Sequence, residues 1–225
     1  MPFIILGIVA IVVISFIAYT YYVAQKRQKA LMLLADNLGL EYSYIDLNGK
    51  DLVYSNISLF QSGHSKEASN VISGDKEGCS VDIFDYKYVT GSGKNSITHH
   101  NSVCILTIPQ TFKYLFIRTE NFLDKIAAVI GFDYIHFESK EFSSRFYVKS
   151  NDKKFAYDII HPEMMDFMLN YHRIYNNMPF IEINERHLAF YYQGSISPER
   201  YGHLYNFAWE FYKKIPHYVL EEYAM

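Results

Sequence analysis

CSVDIFDYKYVTGSGKNSITHHNSVCILTI, residues 79–108, holds two runs of strand-forming residues on either side of a short Gly-Ser-Gly-Lys-Asn link. Val, Ile, Phe, Tyr and Thr suit a pleated, half-buried surface. Glycines in a short polar link supply the positive φ angles of a hairpin turn. The second run ends in Val103–Ile108, apolar enough for a central strand covered on both faces. Two long strands joined this way are antiparallel, and Pro109 is expected to end the second.

Working outward, NVISG precedes this hairpin across DKEG, which has turn chemistry. Further upstream, EYSYIDL and LVYSNISLF read as a hairpin around Asn48-Gly49, followed by a polar loop, QSGHSKEAS. Residues 27–38 place Leu31, Leu34, Ala35 and Leu38 at helical spacing, with Gly39 positioned to cap the end. Downstream, YLFIRT reads as a strand and 120–130 as a helix with Phe122, Ile126 and Val129 on one face. YIHFES and FSSRFYVKS return to strand character, and 162–175 is a helix opened by Pro162. FIEINERHLAFYYQG reads as a hairpin turning at Asn184 and Glu185. The last helix has Ser197 as N-cap, Pro198 at N1, Glu199 in its first turn and Pro216 at its end. This order is α+β with antiparallel sheet, not the alternation of a parallel α/β fold. The strand-rich stretch 41–130 is compatible with a small curled sheet of pleckstrin-homology type.

The chain has 225 residues, half of them hydrophobic, 20% charged, with a net charge of −3. That suits one domain with a sizeable core. It excludes a general nucleic-acid binder, which needs a basic surface. The 21 Tyr and 17 Phe against one Trp agree with a β-rich domain, an aromatic ligand groove being the functional alternative. Cys79 and Cys104 are too few for a disulfide framework and lack zinc-site spacing, so each is expected to be a buried, reduced hydrophobe.

Phe3–Ala24 reads FIILGIVAIVVISFIAYTYYVA, without a charge. As a helix it would rise roughly 33 Å against a hydrocarbon core of about 30 Å. Residues 1–25 are therefore expected to be a transmembrane anchor contacting membrane lipid, and 26–225 a soluble domain. Lys26, Arg27 and Lys29 follow the apolar run and no basic side chain precedes it. The positive-inside rule then predicts a single-pass protein with its N-terminus outside and its domain in the cytoplasm.

Candidate chemistry is sparse. Gly91-Ser92-Gly93-Lys94 lacks the first glycine and the Ser or Thr of a phosphate loop, with Tyr88 and Asn95 in those places, and lies between two strands. His99 and His100 are adjacent, so in a strand they point to opposite faces. Asp82, Asp85, Glu138 and Glu141 lie in or near strands and are the candidates for paired carboxylates. Arg145, among apolar residues, is expected to be partly buried against a carboxylate or carbonyl. No GxSxG elbow or HExxH is present. No catalytic, cofactor-binding or metal residue is assigned.

NVISGDKEGCSVDIFDYKYVTGSGK, then VCILTIP, then EFSSRFYVKS, resembles an uncharacterised family of bacterial single-pass membrane proteins. The likeness covers roughly residues 26–215 and implies a cytoplasmic-membrane setting, a C-terminal cytoplasmic α+β domain and no site residues. The expectation is a non-enzymatic binding or scaffolding domain at the cytoplasmic face of the membrane, with a protein partner or self-association. The alternative is an enzyme acting on a lipid or envelope precursor through strand-borne carboxylates.

Overall fold

The computed structural model describes residues 2–119 and 135–224, with side chains from residue 11 onward. The helix expected over 120–130 lies outside them. Helix α1 runs without interruption over Pro2–Leu38. It ends where Gly39 turns to φ +69°. There the Leu40 N–H bonds the Ala35 carbonyl at 2.9 Å and the Gly39 N–H bonds Asp36 at 3.1 Å, the paired bonds of a Schellman cap.

Among the described residues six antiparallel strands follow: β1 Glu41–Ile45, β2 His64–Lys76, β3 Cys79–Thr90, β4 Ile97–Thr119, β5 Phe146–Ser150 and β6 Phe180–Gln193. Strands β1 to β4 are consecutive neighbours. β6 runs along one side of β4, while β3 and then β5 occupy the other side. The sheet is open among the described strands, with β1, β5 and β6 each paired to a single strand, so the curled barrel expected over 41–130 is not formed by them.

Two expected turns are bulges inside long strands. Pro109 does not end β4, and Asn184-Glu185 does not reverse β6. The β4–β6 register shifts between Thr107 and Phe112 and again before Leu115. Glu185 takes φ +53° there. The alternation of side chains changes phase across the bulge. Ile181 and Ile183 face the main core on one side of it, and Leu188 and Phe190 on the other. A break in period-two patterning resembles a turn, but an inserted residue produces the same break without reversing the chain.

The Asn48-Gly49 turn forms, with Gly49 at φ +65° and the Asp46 carboxylate accepting from the Lys50 N–H at 2.6 Å. It leads into two short helices, α2 Lys50–Val53 and α3 Ser58–Gln61, not into a second strand. The partner of β1 is β2. Tyr54, Ile57 and Phe60 recur at helical spacing and enter the core beneath them. The polar loop expected at QSGHSKEAS is the beginning of β2. The described part of YIHFES, residues 135–139, holds no strand, and α4 (Lys140–Arg145) replaces the start of FSSRFYVKS, capped by the Ser139 hydroxyl, which accepts from the Phe142 N–H.

Helices α5 Lys153–Ile159, α6 Pro162–Tyr175, α7 Pro198–Lys213 and α8 His217–Glu222 complete the chain. One face of the sheet packs against α4–α8 and the C-terminal part of α1. The other is covered by α2 and α3. Adjacent residues of one strand therefore serve different cores: Cys104 and Leu106 the first, Val103 and Ile105 the second.

Among the described residues, no helix is long and apolar enough to cross a membrane. The described apolar side chains of α1 run from residue 11 to residue 24, about 21 Å of helix against a core of about 30 Å. This corrects the expected transmembrane anchor over 1–25, and with it the single-pass inner-membrane placement. Helix α1 continues through residue 25.

Candidate functional site

Helix α1 has two parts with different surroundings. Leu31 and Ala35 are 1% and 0% exposed against the sheet and α7, whereas Ile14, Phe16 and Ile17 are 65%, 67% and 59% exposed. Between them stands Arg27. Its Nη2 and Nε donate to the two oxygens of Asp85 on β3, at 2.7 and 3.2 Å, and its Nη1 donates to the Ile196 carbonyl at 2.6 Å. Its guanidinium also lies 5.7 Å from the centroid of the Tyr201 ring. Asp85 is further held by the Tyr201 hydroxyl of α7 at 2.6 Å and the Asn70 amide of β2 at 2.9 Å. The Tyr42 hydroxyl of β1 in turn donates to Asn70 at 2.7 Å.

One carboxylate thus ties α1, β1, β2, β3 and α7 together at the point where the exposed arm leaves the domain. Burial opposes the charged form of Arg27, and Asp85 more than offsets this, so its pKa stays above the ordinary value. Burial first, and Asp85 second, push the Tyr201 hydroxyl far above the usual tyrosine range, which keeps it a donor. The sequence reading took Arg27 as a flanking basic charge. Its partner is 58 residues away, so local patterning carried no signal of the pair.

The candidate carboxylates are not brought together. Asp82 and Asp85 are three residues apart on β3 and so point to opposite faces of the sheet. Asp82 lies under α2, where Lys50 Nζ donates to it at 2.8 Å and the Tyr54 hydroxyl donates to its other oxygen. Lys50 is only 5% exposed. A second buried acid, Glu182 on β6, accepts from the Ser58 N–H at 2.8 Å and the Ser58 hydroxyl at 2.6 Å, capping α3. Glu141 reaches Arg145 and Arg173, both at 3.5 Å. Arg145 is half exposed, with Glu141 four residues before it on the same helix, so its partner is local.

Gly91-Ser92-Gly93-Lys94 forms the β3–β4 turn, with Gly91 and Gly93 at positive φ. His99 stacks on Tyr88 at 4.8 Å and bonds the Thr90 hydroxyl at 2.7 Å. Cys79 and Cys104 are buried and unbonded, as the sequence suggested. Burial raises both thiols above their ordinary pKa.

These features define the class: an α+β domain whose described strands form one open six-stranded antiparallel sheet, entered by one long helix clasped at Arg27. The crystal structure of the mycobacterial trehalose monomycolate transport factor A, TtfA, is similar, with a TM-score of 0.56 and 13% identity over 84% of this chain and 92% of that one. At that identity the likeness is one of fold. No family model and no curated protein matches the chain.

Proposed function

We propose that this chain is a membrane-associated, non-enzymatic binding or scaffolding protein, whose domain holds the exposed arm of α1 in a set direction. The observation that carries this reading is the contrast along α1. Its C-terminal half is packed and clasped, while Ile11–Val23 is apolar and uncovered on every side. Apolar residues exposed on all sides of one helix call for surroundings as apolar as lipid or other helices. The buried acids Asp82 and Glu182 and the half-buried Asp85 all serve to join elements, and none stands opposite another. The similarity to a transport factor agrees with a role in handling or recruiting without chemistry.

Flotation on phosphatidylglycerol–phosphatidylethanolamine vesicles tests the reading. The folded chain should rise with the vesicles, and an I14K/I17K variant should remain in the dense fraction. Equal behaviour of the two proteins would refute the role given to the arm.

A further inference from the structure

Between α6 and α7 runs a groove of two compartments that share Tyr171, Tyr175 and His203. The first, of about 300 Å³, is walled by Phe167, Tyr171 and Phe207. The second, of about 220 Å³, adds Tyr192, Asn177 and Arg200. Neither contains a residue of the α1 arm.

The second compartment has unused polar capacity. Arg200 sits 5.0 Å from the centroid of the Tyr192 ring. Among the described residues no carboxylate pairs with it, whereas Arg27, Arg145 and Arg173 each have one. Tyr192 is 4% exposed. It lines the same compartment as Arg200. Its hydroxyl makes contacts at the outer limit of hydrogen bonding, 3.4 Å to the Tyr171 hydroxyl and 3.5 Å to the Asn177 carbonyl. A buried hydroxyl normally has a well-formed partner. Here the guanidinium and the hydroxyl-bearing Tyr192 and Tyr171 line one compartment, groups of the kind that receive an oxyanion.

The first compartment is suited to something flat or aliphatic. Phe207 stacks on Phe167 at 5.1 Å and meets Tyr171 at 4.4 Å, making a continuous ring-lined wall. Glu210 stands on its rim and disfavours a second negative charge at that end. The two halves therefore specify an orientation, with charge at Arg200 and an uncharged body beside Phe207.

We propose that this groove binds a small organic oxyanion, a carboxylate or phosphate monoester with an apolar acyl or aryl body, held by Arg200 and the hydroxyls of Tyr192 and Tyr171. Calorimetric titration of the full chain with phenyl phosphate, benzoate, inorganic phosphate and phenol tests it. At least one of the two aryl anions should bind saturably at one site, and the stronger of them names the acid group. Inorganic phosphate lacks the body and phenol lacks the charge, so each should bind about tenfold more weakly or worse. Arg200 is exposed, so R200Q should retain its circular dichroism while weakening the aryl anion by about tenfold, and Y171F by about threefold. No saturable binding of either aryl anion, equal affinity for inorganic phosphate, or undiminished affinity in folded R200Q would each overturn the site. These outcomes are independent of vesicle flotation, which depends on the arm.

Discussion

Arg27 and Asp85, 58 residues apart in the chain, meet in a two-pronged ion pair whose shorter contact is 2.7 Å. The side chains keep 22% and 17% of their exposure, so water reaches the pair only partly. The geometry makes Asp85 the hub, because it also accepts from Tyr201 and Asn70. The direction of α1 relative to the sheet therefore depends on one carboxylate.

Removing either partner should loosen α1. D85A removes the acceptor shared by Arg27, Tyr201 and Asn70, leaving Arg27 the Ile196 carbonyl and Tyr201 the Phe84 carbonyl, and should cost about 3 kcal/mol, while R27M leaves Asp85 two of its donors and should cost about 2 kcal/mol. Urea denaturation of the folded chain reads the cost. Trypsin should cut after Lys29 faster in both variants, and unchanged cutting would mean that the packing of Leu31 and Ala35 suffices to hold the helix.

Lys50 and Asp82 form a drier pair, with side-chain exposures of 6% and 9%. K50M strands a buried carboxylate and should cost about 3–5 kcal/mol, whereas K50M/D82L should recover much of that loss. A double-mutant cycle on thermal denaturation measures the coupling. Additive losses would show that the two side chains act separately.

Acid should weaken the fold through two histidines before most carboxylates titrate. Burial lowers the pKa of His187 below its ordinary 6.5. Burial and then Arg145 lower that of His172. For a depressed imidazole the unfolded chain binds the proton first. Its stabilising contribution is whole above pH 6.5 and is lost as pH falls from there toward the lowered folded value, by at most about 1.4 kcal/mol per pH unit per histidine. Glu182, raised by burial despite its bonds to Ser58, works in the opposite sense, so stability is gained as pH falls through its folded value. A melting-temperature profile from pH 7 to pH 5 should fall for the parent chain and be flatter for H172Q/H187Q. Parallel profiles would exclude the imidazoles as the cause.

The glycines of the β3–β4 turn should differ in their tolerance of alanine. A Cβ on Gly91, at φ +76°, would stand 2.4 Å from the Asn95 carbonyl oxygen, whereas one on Gly93, at φ +56°, meets nothing within 4 Å. G91A should cost about 2–3 kcal/mol and G93A about 1 kcal/mol, read as melting temperatures. Equal losses would show that the turn relaxes around the added methyl group.

Much of the architecture was written in local chemistry. Strand-forming runs around GSGKN, the Pro162 and Pro198 helix starts and the Gly39 cap all follow from backbone preferences of the residues concerned, and all appear in the fold. Burial of the two cysteines was legible for the same reason. The expected hairpin at Asn184-Glu185 fails because a phase break in alternation does not distinguish a turn from a bulge, and only pairing with β4 decides between them. LVYSNISLF forms two short helices whose Tyr54, Ile57 and Phe60 enter the core over the sheet, while β1 pairs with β2, and only the tertiary packing shows this. The clasp and the two-part groove were invisible, since Arg27–Asp85 and Tyr192–Arg200 join elements whose proximity no spacing encodes. Local chemistry specified the long β3–β4 hairpin, the Pro-started helices and the apolar arm, because those depend on neighbours along the chain. Tertiary structure alone decided which charges meet and which remain free, because that depends on neighbours in space.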